Sequence, residues 1–197
     1  EEIKAITETA KDYEMHVAAH AHGDEGMRRA VLGGVKTIEH GTLMSEETMD
    51  LMIKNKAYLV PTITAGKEVS DKAKVTGYYP EIIVPKALAI GPKIQSTFGK
   101  AYKRGVGIAF GTDAGVFNHG QNGKEFGYMV DAGMSPIETI QSATITNAKI
   151  LKMLEKIGSI AKGKIADIVG VDDNPLINIS TMESVSFVMK EGVIYKE

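Results

Sequence analysis

Two short apolar runs in this chain each end in histidine and then turn through glycine: Val17-Ala-Ala-His20-Ala-His22-Gly23 and Lys36-Thr-Ile-Glu39-His40-Gly41. Strand side chains alternate faces, so His20 and His22 point the same way, two pleats apart. A helix-sized segment separates the two runs, which favours parallel neighbouring strands whose carboxyl ends lie side by side. Imidazoles from both ends then converge, and that is how a metal site is built at the top of an α/β barrel. A single strand-end histidine can equally be a hydrogen-bonded structural residue, so the rest of the chain has to decide. By the same alternation Glu39, one residue before His40, is expected to face the other way, into the barrel wall or helix layer.

The strand–helix rhythm continues on both sides. Ile3, Ile6, Ala10 and Tyr13 form a helical stripe, and no capping residue precedes Glu1, so we expect a chain that opens just inside a helix. A helix with Met27, Ala30 and Val31 buried stops at Gly33-Gly34. Ser45 caps the next, with Met44 and Met49 at staple positions and Met49, Met52 and Ile53 inward. A third strand is expected over Ala57–Ile63, then a long, partly helical excursion over Thr64–Pro85, of the kind that shapes pockets or merely covers surface. A helix from Pro92 to Arg104 leads to a fourth strand, Val106–Phe110. That strand ends in Gly111-Thr112-Asp113-Ala114-Gly115, an acid among glycines suited to a metal or a proton. Ser135-Pro136-Ile137-Glu138 opens a helix expected to bury Ile140, Ala143, Ala148 and Leu151. From Gly158 onward short strands and tight turns take over, ending in a hairpin through Glu191-Gly192.

Composition narrows the chemistry. With 197 residues, 43% of them hydrophobic, there is enough for one sizeable core. A net charge of −2 without a basic run gives no support for nucleic-acid or anionic-membrane partners. The absence of cysteine removes disulfides, thiolate metal sites and a cysteine nucleophile. No apolar run approaches a membrane span and no signal peptide is visible, so the compartment cannot be read.

Taken in order, His20-Ala-His22-Gly23, Ile38-Glu39-His40-Gly41 and Gly111-Thr112-Asp113-Ala114 resemble strands five, six and eight of the amidohydrolase superfamily, in its imidazolonepropionase-like and prolidase-like branch. The stretch Gly158-Ser-Ile-Ala-Lys-Gly163-Lys-Ile-Ala-Asp167-Ile-Val resembles the return of that family's chain into its β-sandwich. The resemblance implies an α/β fold: residues 1–157 as the second half of a metal-dependent (β/α)8 TIM barrel, and 158–197 as β-sandwich strands. It implies His20, His40 and Asp113 as ligands in a one- or two-metal centre, zinc above all, with Asp113 also handling protons. His22 is then a pocket or structural residue, and His119 a substrate contact or a solvated loop histidine. The family's paired histidines on strand one and its lysine on strand four have no counterpart here.

The activity implied is hydrolysis of the amide bonds of dipeptides or N-acyl amino acids by metal-activated water, of Xaa-Pro or Xaa-Arg/Lys type. Lactone and phosphoester hydrolysis stay open. The resemblance also implies a fragment, inactive alone, whose partner is a second copy or the N-terminal half of the same protein. Another class of function rests on the glycine-rich stretch Gly111 to Gly123: a metal-free barrel half that binds a phosphate-bearing ligand or a protein. That reading leaves the placement of His20, His40 and Asp113 without a purpose.

Overall fold

The computed structural model describes residues 1–197. Helix α1 (Glu2–Asp12) is followed by β1 (Ala18–Ala21), α2 (Asp24–Leu32), β2 (Thr37–His40), α3 (Glu46–Asn55), β3 (Tyr58–Val60), α4 (Ile63–Lys72), α5 (Val84–Arg104) and β4 (Gly107–Ile108). Strands β1 to β4 form one four-stranded sheet in chain order, with every pair parallel. After β4 come α6 (Lys124–Asp131), α7 (Pro136–Gln141), a π-helical stretch Ser142–Thr146 and α8 (Asn147–Ile150). A second sheet, β5 (Ile168–Gly170), β6 (Phe187–Lys190) and β7 (Val193–Lys196), is antiparallel, with a 3-10 turn at Ile179–Glu183 between its first two strands.

The register of the parallel sheet sorts its side chains. Ala19, Ile38, Leu59 and Ile108 are successive partners across the four strands. They pack with Met27 and Val31 of α2, Met49 and Met52 of α3, Ile94 and Phe98 of α5, and Met129 of α6 in one hydrophobic core. That face meets the helices. The alternate residues, with His20 beside Glu39 and Glu39 beside Val60, lie on the other face. Glu39 therefore shares a face with His20 and does not enter the helix layer, contrary to the sequence expectation. The alternation argument failed because it was counted from His40, and His40 is left-handed (φ 73°), which turns its ring back across the strand.

Local chemistry accounts for most element ends. The Ser45 hydroxyl accepts from Thr48 N–H at the start of α3, and Met44 and Met49 both join the core. Ser135 caps α7 with Pro136 at its first position. Glu191 and Gly192 both take positive φ (51° and 82°), as a two-residue hairpin turn requires.

Other boundaries moved. In α1 only Ile3 packs on the core, while Ile6 and Tyr13 are exposed. Ile53 of α3 is also exposed. The third strand stops at Val60, because Thr62 is left-handed (φ 50°) and α4 starts at once, burying Ile63, Thr64, Ala65, Gly66 and Ser70. Helix α5 begins at Val84 and passes straight through Pro92. Proline has no N–H for the Leu88 carbonyl four residues back, and the Ser70 hydroxyl donates to that oxygen at 3.2 Å. Finally, the π turn shifts the inward face, so Thr139, Ser142, Ala148 and Ile150 are buried and Leu151 is exposed.

Candidate metal centre

The carboxyl ends of β1 and β2 bring three imidazoles together. His20 lies within β1, His22 one residue beyond it, and His40 at the last position of β2. Their ring centroids are 4.8 Å apart for His20–His22, 4.6 Å for His20–His40 and 4.8 Å for His22–His40. One ring nitrogen from each lies within 4.8 Å of the other two, close enough for a single ion.

Two of the rings are oriented by threonines. His40 Nδ1 lies 2.6 Å from Thr62 Oγ1, and His22 Nδ1 lies 2.7 Å from Thr42 Oγ1. The Thr62 hydroxyl gives its only proton to the Pro61 carbonyl at 2.8 Å, so it must accept from His40 Nδ1–H. That fixes the tautomer and leaves the lone pair of His40 Nε2 free, as a metal ligand needs. Burial, reinforced by His22 and then His20, lowers the His40 pKa to about 4. Burial first and His20 second lower that of His22 as well. Both rings are therefore neutral at pH 7, the form that binds metal.

Asp113 follows β4 with φ 56° and is exposed. It is not one of the three clustered groups, but its charge reaches them: it raises the pKa of His40 against the burial effect. It also adds to the rise at Glu39, where burial is the main cause and the hydrogen bond from Thr37 Oγ1 (2.6 Å) opposes it. Glu39 is thus a half-buried carboxylate on the face of His20 that the sequence reading had turned away. His119 is exposed in the loop after Asp113 and lies outside the histidine cluster. Thr42 and Thr62, each two residues past a strand-end position, were not singled out from sequence. Thr42 stands in the turn just after His40, whereas Thr62 follows a strand with no candidate ligand and carried no local signal.

The donor set suits an ion of borderline softness. Three imidazoles with a carboxylate nearby match a zinc-like divalent cation with an open position, whereas hard cations prefer all-oxygen cages.

Comparison with known proteins adds independent findings. A profile of the amidohydrolase family matches residues 1–195. The chain is 54% identical to a Xaa-Pro dipeptidase solved with methionine bound in its active site, with a TM-score of 0.97, covering 100% of this chain and 48% of that one. It is 32% identical, with a TM-score of 0.89, to a prolidase complexed with N-methylphosphonate-L-proline, again covering 100% of this chain and 48% of that one. Ochratoxinase of Aspergillus niger is 31% identical over 202 residues, which cover 100% of this chain and 41% of that protein. The chain therefore spans less than half the length of each of these relatives.

Proposed function

The chain belongs to the amidohydrolase family, and from that premise we propose that it carries part of the active site of a metal-dependent hydrolase of amide bonds. The observation that carries the proposal is the convergence of His20, His22 and His40 from adjacent parallel strand ends, with both threonine-bound rings neutral. In this reading His20 and His40 hold the ion, zinc first among candidates, and His22 either completes its shell or borders the substrate. Bound there, such an ion would acidify water towards a pKa of ~7 and polarise a carbonyl. Asp113, exposed at the next strand end but one, is the carboxylate that would hold a proton there and pass it to a departing amine. Glu39 and Thr37 line the sheet face beneath His20 and hold the floor of the site polar. One or two ions would occupy the complete site.

The substrate class we favour is a dipeptide with C-terminal proline. Its support is the likeness to a Xaa-Pro dipeptidase and a prolidase over the whole of this chain. Dipeptides ending in arginine or lysine, and N-acyl amino acids, are the next candidates. We further propose that the four strand–helix units are half of an eight-unit barrel, with a boundary near residue 158 before the small antiparallel sheet. Coverage of only 48% of the dipeptidase supports that reading. So do the two free edges of the parallel sheet, at β1 and β4.

The test uses the complete protein that carries this chain, purified without added metal. Stoichiometric zinc and hydrolysis of Xaa-Pro dipeptides, lost on chelation and restored by zinc, are expected. Turnover of esters or phosphoesters only would overturn the peptidase reading. A metal-free protein that retains a phosphate ligand would favour the binding function instead.

A further inference from the structure

Helix α4 is capped by a residue far away in the chain. Glu125, at the start of α6 and 0% exposed, accepts from Ile63 N–H and Thr64 N–H at 2.7 Å each and from Thr64 Oγ1 at 2.6 Å. The first amides of a helix have no partner within it and carry its positive end, so a carboxylate is well suited to them. Yet a buried carboxylate is an expensive way to cap a helix whose N-cap residue is a threonine. Threonine at that position normally takes extended dihedrals and caps with its own hydroxyl.

Thr62 does neither. It is left-handed (φ 50°, ψ 45°) and makes no side-chain cap. A β-branched residue is strained in that conformation, and such strain persists only where the surroundings over-determine it. The hydroxyl of Thr62 lies instead between His40 Nδ1 and the Pro61 carbonyl. Capping has been handed to Glu125, which leaves the threonine hydroxyl free for the histidine.

Resting on the metal-centre reading above, we propose that Glu125 is a positioning residue for His40: by clamping the first turn of α4 it holds Thr62 in the left-handed conformation that keeps His40 protonated on Nδ1. A cap serving only the helix would not require the neighbouring threonine to be strained and its hydroxyl diverted. The two carboxylate oxygens fix the two amides that follow Thr62, and so constrain the peptide planes that set its backbone. Glu125 touches neither ion nor substrate and acts only through Thr62.

The experiment is a double-mutant cycle in the complete protein with 15N-labelled histidine. His40 is observed metal-free at a pH above the titration of histidine, and zinc affinity is measured by chelator competition. The variants are Glu125→Gln, Thr62→Val, the two combined, and Thr62→Ser, which keeps the hydroxyl. Wild type and Thr62→Ser should show one His40 tautomer, protonated on Nδ1. Glu125→Gln and Thr62→Val should each mix the tautomers and weaken zinc roughly 10–100-fold, as loss of groups that orient a ligand does. The double variant should be no worse than Thr62→Val alone, because both act on one contact. A Glu125→Gln protein with wild-type tautomer and zinc affinity, or losses that simply add, would overturn the proposal. If Glu125→Gln does not fold, Thr64→Val removes one of the three bonds and should shift His40 the same way; an unshifted His40 there would also overturn it. A wild-type protein that binds no zinc, yet shows the coupled tautomer change, would refute the metal centre while upholding the role of Glu125.

Discussion

At the scale of single residues the site is set by where protons sit. Asp113→Asn in the complete enzyme keeps size but removes the base, and kcat should fall roughly 10²–10⁴-fold with little change in fold. Near-normal turnover at full metal occupancy would take Asp113 out of the mechanism. His20→Ala and His40→Ala should abolish tight zinc binding, measured as metal per protein after dialysis. The geometry treats His22 like the other two, so His22→Ala should also weaken the metal; retained zinc with an altered KM would make it a pocket residue. Glu125 and His40 give opposite pH signatures. Burial pushes the Glu125 carboxyl from 4.5 to about 7, so the folded state holds that proton more tightly. Its contribution to stability is full below 4.5 and declines as pH rises to about 7, by up to roughly 3 kcal/mol. His40 runs the other way: its pKa drops from 6.5 to about 4, so stability is lost as pH falls through that window. In metal-free wild type the two slopes oppose each other. In Glu125→Gln the opposing glutamate slope is removed, so urea midpoints should rise more steeply with pH through the histidine window than in wild type; an unchanged slope would contradict this. His20 and His22 were legible from sequence through strand alternation, and His40 through its place at a strand end before a glycine turn. Glu39 was not, because a left-handed residue at a strand end breaks the alternation on which its placement relied.

Among the elements, the strand–helix order and the capped helices α3 and α7 could be read directly, since Ser45 and Ser135 act within a few residues of themselves. The start of α5 could not. Pro92 reads locally as a helix start, and only the Ser70 hydroxyl, on a neighbouring helix, makes a proline tolerable inside one. The inward face after Gln141 was missed for a similar reason: a π turn adds one residue to the period and no local signal announces it. Neighbours also decide the sign of glycine substitutions. Alanine at an open helical glycine stabilises by about 0.5–1 kcal/mol, and Gly26 of α2 has nothing within 4 Å of an added Cβ. Gly99 of α5 is different, because its Cβ would sit 2.8 Å from the Ala132 carbonyl oxygen. There the backbone clash outweighs the propensity gain, and Gly99→Ala should destabilise by about 1–3 kcal/mol. Equal shifts in melting temperature for Gly26→Ala and Gly99→Ala would mean that α5 and α6 are not packed this closely.

For the molecule as a whole, the parallel sheet has free edges at β1 and β4, and on its second face, which carries His20 and Glu39, Val60 packs with a small cluster that includes Ile150 of α8. Exposed edges invite pairing. The 197-residue chain produced alone should therefore self-associate, bind zinc below one ion per chain and hydrolyse nothing. Co-expression with the remainder of the protein should restore metal and turnover. A monomeric, zinc-loaded and active 197-residue chain would refute the half-barrel reading. The same expectation follows from the sequence, where four strand–helix units and the family resemblance imply a fragment with open sheet edges. The strained positions carry a last implication, for anyone evolving this protein. His40, Thr62 and Asp113 all sit in left-handed backbone without being glycine. Heat-selected libraries reward relief of such strain, and glycine or asparagine relieves it most easily. If the proposed metal centre holds, selection for thermal tolerance alone would thus be drawn to positions that build it, and a library meant to retain function should hold these three codons constant.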